Sequence, residues 1–353
     1  VPYNITRTLQ YGANVGLELQ MPLYNQTLYT SISIAEIVDE MSRLSYEKAR
    51  EDLILQISKM YYLGQVTAEQ IALIKANITR LEELRDITQA FFDNGMAMEV
   101  DLKRVNINLE NLKVQYDNAQ AMMTQQLNML KYIMDYPAEK EIGLLPVNTD
   151  SIATVALTGL SENLYELQLL QSQVQLAERQ KRLISNGYIP SLNLTGNWRF
   201  AAYTDEAYHW FHSGPSNHWF RSYGVGLTLR IPIFDGLDKK YKIRKAMIDI
   251  EMMKLSQLDI RKNLHTQYLN AVNDLMNNQR NFKKQKDNYL LAEEVYAVTT
   301  DRYREGITSM TEVLQDGMRM SEAQNNYISA HYNYRVTNLM LLKLTGQIAS
   351  LFK

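Results

Sequence analysis

Val15-Gly-Leu-Glu-Leu-Gln-Met-Pro-Leu-Tyr24 returns about 210 residues later as Val225-Gly-Leu-Thr-Leu-Arg-Ile-Pro-Ile-Phe234. Both copies alternate apolar residues with polar or small ones, in the manner of a strand, and then run on through a proline. The likeness resumes at Gly95 and Gly306, one residue out of phase with the first match. In each copy a short alternating segment therefore leads into a long stretch broken by a single glycine. A unit of this size used twice is a duplicated structural module, far longer than the roughly 20–50 residue period of a solenoid.

The seven prolines fall at 2, 22, 137, 146, 190, 215 and 232, so 23–136 and 233–353 contain none. Proline lacks an N–H and its ring strikes the preceding turn, so it is excluded from helix interiors; both stretches are predicted to be helical almost throughout. Phe92-Asp-Asn-Gly95 and Arg304-Glu-Gly306 are the turns where each long helix folds back. On the first return arm Leu102, Leu109, Tyr116, Met123 and Leu130 recur every seven residues, interleaved with Val105, Leu112, Ala119 and Ile133. The second has Val313, Met320, Tyr327, Tyr334 and Leu341, interleaved with Ala323, Ala330 and Leu344. A sustained seven-residue apolar period implies left-handed coiled-coil packing, and the Tyr and Met stripes are read as core.

These breaks divide the chain into seven parts. A strand and loop occupy 1–24, a first helical hairpin 25–136 with its tip near 95, and an irregular segment 137–160. A helix covers 161–188, a strand hairpin with its loop 189–235, a second helical hairpin 236–345 with its tip near 306, and a tail 346–353. The first descending helix spans about 100 Å at 1.5 Å per residue, and its return arm about 57 Å. The helix at 161–188 completes that climb, but nothing follows Leu344 to complete the second. A helix and strand ahead of Val1 would do so, and the chain is expected to lack them.

Three segments have the period of strands. Leu192, Leu194, Gly196, Trp198 and Phe200 alternate with Ser191, Asn193, Thr195, Asn197 and Arg199. Val225, Leu227, Leu229 and Ile231 alternate with Gly224, Gly226, Thr228 and Arg230, and Val15, Leu17, Leu19 and Met21 with Gly16, Glu18 and Gln20. Apolar-out, polar-in strands of this length are the pattern of an outer-membrane β-barrel, although a half-buried soluble sheet shows the same alternation. All three tryptophans, Trp198, Trp210 and Trp219, lie near one end of the strand hairpin, with Phe200, Tyr203, Tyr208, Phe211, Phe220 and Tyr223. Such clustering suits an interfacial aromatic girdle, assigned here to Trp198, Phe200, Trp219 and Tyr223. Three strands cannot close a barrel, so it must be shared between subunits.

Composition excludes several chemistries. The formal net charge of −2 over 353 residues gives no electrostatic case for nucleic acid. There is no cysteine, hence no disulfide, thiol catalysis or thiolate metal site. No apolar run reaches the length of a transmembrane helix, and no signal segment opens the chain at Val1-Pro-Tyr. His209, His212 and His218 share a loop without an acid at ligand spacing, so no metal site is assigned. Phosphate-binding, nucleophile-elbow and zinc-protease motifs are absent, and neither a cofactor nor a catalytic residue is expected. The basic run Lys239, Lys240, Lys242, Arg244 and Lys245 just below a strand reads as a solvated helix face, with lipid head groups as the other reading.

Gly187-Tyr-Ile-Pro-Ser-Leu192 entering a strand, Ile231-Pro-Ile-Phe-Asp-Gly236 leaving one, Gly306 followed by Glu312-Val-Leu314, and Ala330-His-Tyr-Asn-Tyr334 stand in one order inside the duplicated unit. With these motifs the chain resembles the TolC-like outer-membrane efflux family over essentially its whole length. The resemblance implies a mainly α fold with a small β part, in which long coiled-coil hairpins form a trimeric α-barrel joined to a shared transmembrane β-barrel. Each subunit of the family gives four strands to the barrel; three are visible here. The implied protein is not an enzyme. It is a homotrimeric exit duct in the bacterial outer membrane with a periplasmic tunnel, serving a periplasmic adaptor and an inner-membrane transporter that export small molecules. A duct for type I protein secretion, or a soluble coiled-coil scaffold with a small capping sheet, are the competing expectations.

The resemblance also implies roles at the tips. An acid six residues beyond each tip glycine contributes to the periplasmic aperture, and Asp101 and Glu312 hold those places. Tyr303 holds the place of a tyrosine that bonds the first-tip acid. Thr308 stands where some members have arginine, and Gln315 where they have a second acid, with Asp316 one step on. Gly95, Met96, Gly306 and Ile307 are the implied adaptor contacts, the glycines allowing a tight turn and the apolar neighbours being free to dock.

Overall fold

A computed structural model describes residues 11–146, 159–204 and 219–352. In chain order the elements are β1 (Tyr11–Tyr24), α1 (Gln26–Asp93), α2 (Glu99–Ile133), α3 (Tyr165–Asn186), β2 (Ser191–Thr204), β3 (Phe220–Arg230), α4 (Asp238–Arg304) and α5 (Met310–Leu344). A short 3-10 helix, Ile348–Phe352, turns the expected tail into an ordered element whose Ile348 is fully buried. The duplication is visible in lengths: α1 and α4 have 68 and 67 residues, and α2 and α5 have 35 each.

The chain forms two compact units, one of Val1–Arg43 with Leu169–Gln257 and the other of Leu44–Gln168 with Leu258–Lys353. In the first, the three strands pair antiparallel in the order β1-β2-β3. β1 runs through Pro22 to Tyr24, with a register shift between Pro22 and Tyr24. Among the described residues β1 is an edge strand, where a missing N–H is tolerated.

The one-residue phase difference between the copies has a physical seat where strand passes into helix. Asn25 caps α1, its Oδ1 accepting from the N–H of Thr27 at 3.1 Å and of Leu28 at 3.2 Å. Asp235, its counterpart, accepts from the N–H of Leu237 at 3.2 Å and of Lys239 at 3.3 Å. The second cap thus reaches one residue further. The surplus residue is taken up at Gly236 and Leu237, both left-handed with φ of 65° and 67°.

In the second unit the heptad residues meet as their spacing requires. Leu81, Leu84, Val105, Leu109, Tyr303, Met310, Val313 and Met320 form the core nearest the tips. Leu55, Leu164, Leu264, Tyr268, Leu339, Leu341, Leu344 and Ile348 form another cluster. Gly64, inside α1, makes room for the irregular segment after α2: a Cβ there would lie 2.6 Å from Leu144 Cδ1. Next to it, Gln65 Nε2 donates to the Leu145 carbonyl at 2.8 Å.

Tyr327 and Ile328 pack with Val66 in a third cluster, beside a polar lock between α1 and α5. Tyr327 Oη donates to Glu69 Oε1 at 2.8 Å, His331 Nδ1 lies 3.3 Å from Glu69 Oε2, and Arg335 Nε donates to His331 Nε2 at 3.0 Å. Arginine only donates, so Nε2 accepts and the His331 proton sits on Nδ1, facing the carboxylate. His331 is 0% exposed, its ring tilted against Phe282 at 4.9 Å, while Arg335 lies over the Tyr62 ring at 5.0 Å. Burial opposes the Glu69 charge, but the bonds from His331 and Tyr327 outweigh it and hold the carboxyl below its usual range. A depressed carboxylate stabilises the fold above its unfolded pKa and ceases to do so as the pH falls through the folded one. The thermal midpoint, followed by circular dichroism in detergent, is therefore expected to fall as the pH drops below about 4.5, with a shallower acid dependence in Glu69→Gln.

Candidate functional site: the membrane face and the hairpin tips

The strand register sorts the sheet residues onto two faces. Val15 lies opposite Phe200, Leu17 opposite Trp198, Leu19 opposite Gly196 and Met21 opposite Leu194. Across the other edge of β2, Trp198 meets Tyr223, Gly196 meets Val225, Leu194 meets Leu227 and Leu192 meets Leu229. These pairs make one face an apolar surface, bounded at the Phe200 end by its register partner Arg221, and it is exposed: Leu17 is 74% and Val225 83% accessible. The reverse face carries Glu18 opposite Asn197, Gln20 opposite Thr195, and Arg199 between Gly16 and Ser222.

The four girdle residues fall together on the apolar face. Trp198 stacks on Phe200 at 6.2 Å, Phe200 on Trp219 at 5.3 Å, and Tyr223 is the register partner of Trp198. Tyr203 and Phe220, which sequence proximity places in the same cluster, stack on each other at 5.7 Å on the reverse face. Trp210, His209, His212 and His218 lie outside the described residues.

The two tips are built alike. The N–H of Gly95 bonds the Phe92 carbonyl at 2.9 Å and that of Met96 the Phe91 carbonyl at 2.8 Å. Gly306 repeats this with Tyr303 at 2.9 Å and Ile307 with Arg302 at 2.9 Å. These paired bonds close a helix through a left-handed residue, and the glycines supply it with φ of 72° and 74°. The residue after each glycine stands in the open, Met96 70% and Ile307 60% exposed. The following helices begin differently. Ser309 caps α5 by accepting from the Glu312 N–H at 3.3 Å, whereas Met98 offers α2 no side-chain cap.

Asp101, Glu312, Gln315, Asp316 and Tyr303 are all near the tips but in unlike settings. Asp101 accepts from Arg104 Nη1 at 3.1 Å, and the same nitrogen reaches Thr311 Oγ1 at 3.4 Å, so Arg104 links α2 to α5. Glu312 is exposed, and its carboxylate accepts the Thr308 hydroxyl. Gln315 is exposed in a surface cleft with Glu294, Arg302 and Arg319. Asp316 is buried instead, its two oxygens taken by Thr299 Oγ1 at 2.8 Å and Arg319 Nη1 at 3.0 Å.

Tyr303 departs from its implied partner. Its hydroxyl lies 3.5 Å from Thr88 Oγ1, not on Asp101, because the ring is buried against Phe91 at 5.6 Å while Asp101 is occupied by Arg104. Burial raises the Tyr303 pKa, opposed by the Thr88 bond and aided by the Asp101 charge. Arg104, Thr88 and Thr299 were not signalled by any motif. Among the described residues no group of His, Asp or Glu is placed to hold a metal, and no helix is long and apolar enough to cross a membrane.

The model of the family described as outer membrane efflux protein matches residues 8–134 and 157–347. The chain belongs to that family. Outer membrane protein TolC of Vibrio cholerae serotype O1 is 20% identical, over 98% of this chain and 81% of its own. The probable efflux pump outer membrane protein TtgC of Pseudomonas putida is 22% identical, over 98% and 72%. The outer-membrane channel OprN shares the fold with a TM-score of 0.77 at 14% identity, covering 96% of this chain and 82% of that one. The open state of the Neisseria gonorrhoeae MtrE channel gives 0.74 at 16% identity, over 96% and 80%. As a member of the outer membrane efflux family the chain is an outer-membrane protein, with its long helices on the periplasmic side.

The buried position of Asp316 has a measurable consequence. Asp316→Ala removes a buried carboxylate bonded to Thr299 and Arg319, leaving the Thr299 hydroxyl only the Val295 carbonyl at 3.0 Å, and is expected to destabilise the fold by about 1–3 kcal/mol. Gln315→Ala, one residue away on the surface, should stay within about 0.5 kcal/mol. Thermal unfolding of the two variants in detergent checks both.

Proposed function

We propose that this chain forms the exit duct of a tripartite efflux pump, as a homotrimer whose shared β-barrel and helical tunnel carry small molecules out of the cell. The observation that carries this reading is the exposed apolar face of a sheet whose reverse face is polar, such as a barrel shared between subunits requires between lipid and a wet lumen. Val100, Ile107 and Val114, seven residues apart on α2, are exposed apolar residues that the subunit leaves uncovered, and they fit a neighbouring copy. A scaffold whose sheet caps a coiled coil would bury that apolar face instead. The transported substrate class follows from the partner transporter, and similarity to the antibiotic efflux pump outer membrane protein ArpC and the toluene efflux pump outer membrane protein TtgC of Pseudomonas putida favours small molecules over secreted proteins.

The aperture is assigned to the tips, with Asp101 and Glu312 as its acids and Tyr303, Gln315 and Asp316 behind them. Threefold symmetry would bring like carboxylates together, which favours cation binding in a narrow pore. Arg104 moderates Asp101, leaving Glu312 as the more available charge. Gly95, Met96, Gly306 and Ile307 are assigned to a periplasmic adaptor, and the pump would be completed by an inner-membrane transporter. The reading calls for no catalytic residue and no cofactor.

Single-channel recording of the detergent-purified protein in a planar bilayer tests the duct. A small stable conductance, blocked by multivalent cations added on the periplasmic side, is expected. Asp101→Ala with Glu312→Ala should raise the conductance and weaken the block. Conductance without block in the unaltered protein would remove the aperture assignment, and absence of conductance would remove the duct.

A further inference from the structure

Five cations, Lys239, Lys240, Lys242, Arg244 and Lys245, crowd the first two turns of α4. This is the end of a helix where the aligned peptide dipoles already place positive charge, so cations are disfavoured there. Two are neutralised within the chain: Lys239 Nζ lies 3.0 Å from Asp235 Oδ2 and Lys242 Nζ 2.7 Å from Asp238 Oδ2. Lys240, Arg244 and Lys245 are exposed and have no ion-pair partner among the described residues. Lys245 lines a groove between α3 and α4 that also holds Asp249, at no salt-bridge distance.

What adjoins this cluster is the lower margin of the membrane face. Below β3 the apolar residues continue into the connecting segment, where Ile233 is 93% and Phe234 82% exposed. Exposed Tyr188, Leu237 and Tyr241 follow, with the Lys239 ammonium 5.1 Å from the centre of the Tyr188 ring. Apolar and tyrosine side chains succeeded by unpaired cations are the sequence of environments met on passing from acyl chains through the interface to phosphate.

We propose that Lys240, Arg244 and Lys245 bind the head groups of anionic phospholipids in the periplasmic leaflet, with Ile233, Phe234 and Tyr241 seated at its interface. The occupant is a lipid surface because the cluster continues the lipid-facing sheet and because its unpaired charge is opposite in sign to phosphodiester. The surface is independent of the aperture and of the transported substrate.

The test uses the full chain in detergent micelles with dioleoylphosphatidylglycerol or dioleoylphosphatidylcholine added, and reads bound lipid by native mass spectrometry. The unaltered protein is expected to hold phosphatidylglycerol about tenfold more tightly than phosphatidylcholine, with the preference shrinking as salt rises. K240Q/R244Q/K245Q should lose the preference, and K240R/R244K/K245R, which keeps the charges, should retain it. No preference in the unaltered protein, or an undiminished one in the glutamine variant, would overturn the proposal. Loss of preference in the charge-preserving variant would overturn it as well, and decides the matter should the glutamine variant fail to fold. Conductance in neutral bilayers is expected to be the same for all three proteins, which separates this result from any failure of the duct.

Discussion

A sheet with one oily face and one polar face needs two different solvents, and every other feature of this protein is arranged around that need. The apolar side chains of β1, β2 and β3 stand on one surface, with Glu18, Asn197 and Arg199 on the other. In hydrocarbon no backbone N–H or C=O can be left unpaired, so strands survive there only with both edges bonded. Among the described residues β1 and β3 each have one such edge free. The demand for further strands thus follows from backbone chemistry before any appeal to kinship.

Period made most of the architecture legible. Leu109, Val105, Val313 and Met320 are buried where a seven-residue repeat says they must be, because a coiled coil converts spacing directly into contact. The alternation of β2 likewise separated the apolar face from the polar one, since successive strand residues point to opposite sides. Clustering in sequence was a poorer guide than register: Tyr203 and Phe220 sit among Trp198, Phe200, Trp219 and Tyr223 along the chain yet face away from them. Pro22 sits inside β1 because an edge strand absorbs a proline that a central one would reject.

The tips were the least legible part. Side chains there choose among several partners, and short polar contacts depend on ångström-level placement that no pattern encodes. Tyr303 reaches Thr88 with its ring buried beside Phe91, and Asp316 turns inward to the Thr299 hydroxyl on α4. His331 belongs to a sequence motif, but its place between Glu69 and Arg335 is visible only where α1 and α5 pack together.

The left-handed pair Gly236-Leu237 bears on how a duplicated gene keeps its halves matched. A residue gained inside a helix turns everything beyond it by about 100°, since a full turn holds 3.6 residues. Such a gain in α4 would swing its coiled-coil seam out toward solvent and carry the second tip off its bearing. Lodged at the joint between strand and helix, the same residue is spent in a loop and the rotation never reaches the seam. Drift in length between the halves is therefore tolerable at these joints and ruinous within the arms.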